Sequence, residues 1–190
     1  MLTQLQSNAV IALGGNLPFL EGTPEVTLRQ ATKRITELGI LVRRKSQFYR
    51  TPCFPPGTGP DYVNAAIRVE TQLSPGALLH VLHDIEHEFG RARKQRWGMR
   101  TLDLDILLFD DLVLPDQDTF DRWHDLPIEE QVCATPEHLI LPHPRLQDRA
   151  FALVPTRDVA PDWCHPVSGK TVSQMCAELP EDTVAEVVVL

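Results

Sequence analysis

Two aspartates one residue apart, Asp103 and Asp105, stand inside the apolar run LDLDILLF (102–109). Just upstream, Arg91 to Arg100 carry five positive side chains (Arg91, Arg93, Lys94, Arg96, Arg100) and no acidic one. The apolar run reads as a buried strand, in which alternate residues share a face. Both carboxylates then point the same way, roughly 6–7 Å apart at Cα. Buried carboxylates are costly unless paired or metal-bound. Two of them beside an arginine-rich loop suit divalent cations that hold a polyphosphate. Hard oxygen ligands favour Mg²⁺, and guanidinium forks match phosphate oxygens. The structural alternative is a salt-bridge network among the same side chains.

Other chemistry-bearing residues are less specific. Tyr62 and Asn64 lie two apart in an alternating stretch, so an aromatic plane and an amide share one face. That pairing suits a flat heterocycle and equally suits ordinary sheet packing. His83-Asp84-Ile85-Glu86-His87 matches the HxxEH pattern of some zinc peptidases. Its histidines project away from the apolar stripe of their helix, however, and no third ligand accompanies them. Gly14-Gly15-Asn16 reads as a tight turn. No GxGxxG and no GxxxxGK occurs, so neither a dinucleotide fold nor a P-loop is indicated. The four cysteines (Cys53, Cys133, Cys164, Cys176) have no CxxC spacing and suggest neither a disulfide framework nor a zinc knuckle.

The elements that must position these residues follow from periodicity and punctuation. Ala9–Leu13 reads as a first strand. Pro24–Leu38 has helical spacing and stops at Gly39. Ile40–Val42 opens a second strand running on to Phe48 and Tyr49. Thr51–Pro60 holds four of sixteen prolines and forms a loop. Asp61–Thr71 is a third strand. Ser74-Pro75 starts a helix that ends at Gly90, with Leu78, Leu82, Ile85 and Phe89 as its buried stripe. After the acidic strand, Leu112–Leu114 reads as a hairpin return, and 115–137 as an excursion without clear periodicity. Leu139–Leu141 is a short strand, Arg149–Val154 a short helix, Cys164-His165 part of a loop and Thr171–Leu179 a last helix. VAEVVVL finishes as an edge strand.

At 190 residues the chain fits one domain able to bury a real core. The net charge of −8 is local. Residues 110–137 contain nine acidic residues against Arg122 alone, and the remainder balances at 17 against 17. Nucleic-acid binding would need a broad basic face, so none is expected. No apolar run approaches the ~18 residues of a membrane span, and the first residues lack a basic leader. The expectation is a cytoplasmic monomer without a membrane partner.

Taken together, LGGN near the N-terminus, FYRTP (48–52), PDYVNAA (60–66), RWGMRTLDLD (96–105) and LPHPR followed by RAF (141–151) resemble the 6-hydroxymethyl-7,8-dihydropterin pyrophosphokinase family of folate biosynthesis. The resemblance covers most of the chain. It implies an α+β, ferredoxin-like fold: an antiparallel sheet with helices packed on it. It implies transfer of the β,γ-pyrophosphoryl group of ATP to the pterin hydroxymethyl oxygen, releasing AMP. Two Mg²⁺ ions on Asp103 and Asp105 would bridge the triphosphate. Arg91, Arg93, Trp97 and Arg100 would belong to a loop closing over ATP, with His143 and Arg149 on phosphate or ribose and Glu86 at the base of the site. The pterin would stack between Tyr62 and Phe151, read by Asn64 and by backbone groups around Thr51, Pro52 and Phe54. A catalytically weak paralogue binding nucleotide or pterin is the alternative within this resemblance.

Three departures stand out. The family usually has serine at position 15 and proline at position 99, where this chain has Gly15 and Met99. The acidic stretch at about 115–137 exceeds the family's usual connection by roughly twenty residues, a length that loop-closure entropy tolerates cheaply.

Overall fold

The computed structural model describes residues 6–53, 57, 59–90, 100–127, 130 and 134–190. Six antiparallel strands form one sheet: β1 (Ser7–Gly15), β2 (Leu41–Lys45), β3 (Tyr49–Thr51), β4 (Tyr62–Thr71), β5 (Asp103–Phe109) and β6 (Val188–Val189). Their order is β5-β1-β4-β3-β6, with β2 also paired to β4. Six helices occur among the described residues: α1 (Pro24–Glu37), α2 (Pro75–Glu88), α3 (Gln117–His124), α4 (Ala150–Val159), α5 (Val172–Glu178) and α6 (Glu181–Ala185).

Alternation in the strands produces two apolar faces. Ile11 and Leu13 of β1, Ala65 and Ile67 of β4 and Leu104 and Ile106 of β5 pack with Leu28, Ile35, Leu78, Leu82 and Ile85 of α1 and α2. Val10, Ala66, Leu107 and Leu108 point the other way, against Leu153 and Val159 of α4 and Val172 and Met175 of α5. Both α1 and α2 start as their residues dictate. Thr23 and Ser74 cap them by accepting from Val26 N and Ala77 N, and proline follows each cap. Gly39, just past α1, holds φ +85°, a conformation that favours glycine.

Several expectations are corrected. The second strand breaks after Lys45, because Ser46 keeps only half of its backbone pairing: its N–H donates to Ala66 O at 2.9 Å, while its Oγ, in place of its carbonyl, accepts from Ala66 N at 2.9 Å. The strand resumes at Tyr49 as β3. Leu112–Leu114 makes no hairpin return: Leu114 pairs with Leu141 in a single bridge, and Leu139–Leu141 is therefore no strand either. The acidic excursion contains α3, capped by Asp116, with Phe120 fully buried. Helix α4 runs five residues beyond Val154 despite Pro155, and Thr156 Oγ1 back-bonds to Ala152 O at 2.8 Å. Helix α6 was not foreseen.

The candidate active site

Strand register brings the acidic pair to the sheet face that carries α4. Gly14 pairs with both Asp103 and Asn64, and Ala12 pairs with both Asp105 and Ala66. Two parallel rows result, Asp103–Gly14–Asn64 and Asp105–Ala12–Ala66. Residues with little or no side chain occupy the middle of each row, so the carboxylates and the Asn64 amide flank an open floor. Tyr62 shares this face, two residues before Asn64.

Gly14 and Gly15 do not stop β1, as a turn would; both are paired within it. Their need for glycine is close approach. A Cβ on Gly15 would lie 2.6 Å from Thr101 O, and one on Gly14 3.0 Å from Asn64 Oδ1. Asn16 then clamps the start of the acidic strand. Its N–H donates to Arg100 O at 2.9 Å, its Oδ1 accepts from Arg100 N at 2.8 Å, and its Nδ2 donates to Pro60 O at 3.1 Å. Sequence reasoning took Asn16 for a turn residue; its burial at 3 % and the LGGN motif mark it as a brace. Arg100 thereby places Nη1 2.5 Å from Asp103 Oδ1. Burial pulls the Arg100 guanidinium down, but the charge and hydrogen bond of Asp103, together with Asp105 and Tyr62, outweigh it, so the net shift is upward.

β5 lies at the end of the strand order, and its outer rim is taken up by two side groups. Glu86, 1 % exposed, accepts from Leu104 N at 2.7 Å through Oε1. A bulge follows: Ile11 faces Ile106 while Val10 faces Leu108, leaving Leu107 as the extra residue. The Leu107 carbonyl accepts from His143 N at 2.8 Å. The bulge thus ties the PHPR turn to the acidic strand.

That turn presents the cations opposite the aspartates. Arg145 N donates to His143 Nδ1 at 3.1 Å, so the imidazole is neutral with its hydrogen on Nε2. Burial first, and the Arg149 guanidinium second, lower the His143 pKa to about 3. Burial lowers the Arg149 pKa as well, against the opposing pull of Asp105. Arg145 was missed by sequence reasoning; the repeated basic residues of PHPR…R were its only signal. Its Nε lies 2.9 Å from Asp148 Oδ2, which pins the turn. Arg149 is also the N-cap residue of α4, so the positive end of that helix dipole adds to the local field.

The expected pterin residues divide. Asn64 and Thr51 are buried, and Asn64 Nδ2 donates to Thr51 Oγ1 at 2.7 Å, which orients the amide. Tyr62 is half-buried, and Pro52 is exposed. Phe151 is 42 % exposed, its ring centroid 5.8 Å from Arg149 Cζ. Phe54, Arg91, Arg93 and Trp97 lie outside the described residues. The HxxEH reading fails on geometry: His87 is exposed while Glu86 is buried against β5.

Among the described residues no group of three or more His, Cys, Asp or Glu could enclose a metal. Two carboxylates on an open face fit Mg²⁺, which keeps waters and shares its remaining positions with phosphate oxygens. The fold is α+β, and paired carboxylates facing arginines on this face suit an enzyme that handles a polyphosphate.

Comparison with known proteins makes the assignment specific. Residues 10–161 match the model of the 7,8-dihydro-6-hydroxymethylpterin-pyrophosphokinase (HPPK) family. The chain is similar to a 2-amino-4-hydroxy-6-hydroxymethyldihydropteridine pyrophosphokinase of Synechocystis sp., at 38 % identity over 90 % of this chain and 75 % of the relative. A protein of the same name from Haemophilus influenzae is also 38 % identical, over 84 % of this chain and 86 % of its own. The fold matches that of Plasmodium falciparum HPPK-DHPS with a TM-score of 0.64 at 15 % identity, covering 92 % of this chain. The chain spans only 45 % of that longer structure. This chain belongs to the pyrophosphokinase family. No helix among its described residues is long and apolar enough to cross a membrane.

Proposed function

We propose that Asp103 and Asp105 serve the family's reaction by holding two Mg²⁺ ions against the triphosphate of ATP, which face Arg100, His143 and Arg149 from the other side. The reaction moves a pyrophosphoryl group from ATP to the hydroxymethyl oxygen of 6-hydroxymethyl-7,8-dihydropterin, a step of folate synthesis, and releases AMP. The observation that carries the residue assignment is the shared row of Asp103, Gly14 and Asn64, which puts metal, floor and heterocycle reader side by side.

The ions supply charge neutralisation and a template for the phosphates. Arg100 and Arg149 neutralise the developing charge, and neutral His143 donates from Nε2 to a phosphate or ribose oxygen. By resemblance to the family, Arg91, Arg93 and Trp97 would contact ATP. Glu86 acts through β5, whose Leu104 N it holds. The pterin lies between Tyr62 and Phe151, with Asn64 and the backbone around Thr51, Pro52 and Phe54 along its edge. A histidine with a pKa near 3 is a poor base. In-line displacement with a largely broken leaving-group bond does not need a strong one. Positioning and electrostatics carry the rate.

In this reading the chain works as one domain and as a cytoplasmic monomer. Stretch 115–137 is an insertion outside the chemistry. The test is AMP release from ATP, Mg²⁺ and the pterin by Asp103→Asn and Asp105→Asn. Losses of about 10²-fold or more in turnover are expected. Turnover within about threefold of the parent at saturating Mg²⁺, against that expectation, would sink the metal assignment.

A further inference from the structure

Helix α4 begins at the catalytic face and ends, about 15 Å further along its axis, beside a second cleft of about 500 Å³ on the same face of the sheet. Its floor is a row across four strands. Arg44 of β2 pairs with Arg68 of β4, Arg68 with Val10 of β1, and Val10 with Leu108 of β5. Directly opposed like charges on neighbouring strands destabilise a sheet. Here they face each other, and neither arginine has an ion-pair partner among the described residues. The neighbouring Arg43 does, in Glu70 at 2.6 Å.

Arg68 is held in place. Its Nε and Nη2 both donate to Asn8 Oδ1, at 3.3 and 3.0 Å, which leaves Nη1 uncommitted. Three aspartates rim the opposite, β5 side of the cleft. Asp110 is occupied, its Oδ1 accepting from Asn8 N at 2.8 Å, while Asp111 and Asp162 are exposed to solvent. Between the two ends Val10 and Leu108 lie buried beneath the floor, and the accessible apolar lining comes from Pro161 and Trp163, both half-buried. The Trp163 indole forms part of the wall, fixed by donation from Nε1 to Asp110 O at 2.8 Å.

We infer that this cleft binds a small oxyanion with an aromatic body, its acidic oxygens on Arg44 and Arg68 and its ring against Pro161 and Trp163. Two guanidinium groups side by side match the geometry of a phosphate or carboxylate. An apolar wall with a few convergent polar groups is the usual makeup of a small-molecule site. The site is distinct from the catalytic one, and no residue assigned to the transfer reaction lines it.

Phenyl phosphate is the probe, titrated calorimetrically into the full chain with Mg²⁺ and a non-hydrolysable ATP analogue filling the catalytic site. One bound equivalent is expected, with inorganic phosphate weaker by about tenfold because it lacks the ring. Arg44→Ser/Arg68→Ser should weaken phenyl phosphate by about tenfold, the loss expected of removing charge-assisted hydrogen bonds. Its pyrophosphokinase rate should stay that of the parent. If the double variant melts early, Arg44→Gln, at an exposed position, carries the same comparison. Equal binding by parent and variant, no binding to the parent, or inorganic phosphate binding as tightly as phenyl phosphate each overturns the inference.

Discussion

Lowering the pH from 7 to 5 should remove much of the chain's stability, through two histidines. His143 and His165 are buried so that Nδ1 accepts backbone N–H groups: Arg145 N for the first, Val167 N and Ser168 N for the second. His165 also sits against the rings of Phe120 and Trp163, with centroids 5.7 and 5.5 Å away. Burial lowers its pKa to about 4, with His124 a second cause, and that of His143 falls to about 3. An unfolded histidine titrates near 6.5. Between that value and the folded ones the unfolded chain binds protons that the native chain refuses. Stability is therefore full above about pH 6.5 and falls as the pH drops. Linkage gives roughly 2 kcal/mol for each histidine between pH 7 and 5, about 4 kcal/mol together. That is a large share of a typical 5–15 kcal/mol total. The lowered carboxylates of Glu88 and Asp116, held down chiefly by Arg34 and by Thr119, act only at lower pH. Urea unfolding at pH 7, 6 and 5 measures the effect, and His165→Gln should halve the slope. A stability that changes by less than about 1 kcal/mol over that range, or a His143 titration by NMR near 6.5, would refute the reasoning.

Four further outcomes are expected. Tyr62→Ala and Phe151→Ala should each weaken pterin binding by about 1–3 kcal/mol, by analogy with base stacking, and leave ATP binding nearly intact; equal weakening in calorimetry would make these residues structural. Gly15→Ser, the family's usual residue, should push Thr101 away, since its Cβ would meet Thr101 O at 2.6 Å. A raised ATP KM with a small stability loss is the signature, and unchanged kinetics and melting would show that β1 yields without disturbing Arg100. Phe120→Ala should cost about 3–5 kcal/mol, as large core truncations do, and should wet His165, flattening the acid slope by one histidine. Replacing 116–135 with a short linker should likewise lower stability while ATP affinity holds; a salt-sensitive change of more than about fivefold in that affinity would mean the acidic stretch restrains the basic loop by screened attraction.

The parts legible in the sequence were those whose signals are local. The Thr23 and Ser74 caps, the stripe of Leu78, Leu82 and Ile85, and the alternation of Asp103 and Asp105 are each set by neighbours in the chain. What stayed hidden depends on partners far away. Ser46 breaks a strand by bonding Ala66, twenty residues on. Asn16 acts by clamping Arg100 across 84 residues. Helix α3 escaped notice because its polar, acidic segment has one anchor, Phe120, whose seat against His165 no periodicity reveals. The short helix read over Arg149–Val154 runs on through Pro155 because packing against β4 holds α4 to Val159.

The covered rim of β5 has a bearing on how variants of this chain will behave. An edge strand rich in Leu and Ile is a template on which a second molecule can add its own strand, and the start of self-association. Here Glu86 occupies the Leu104 N–H, and the PHPR turn occupies the Leu107 carbonyl. A lesion at Glu86 therefore exposes a sticky border as well as slowing the enzyme. Such variants should be lost to inclusion bodies at expression temperatures where Asp103→Asn, which leaves both covers in place, stays in the soluble fraction.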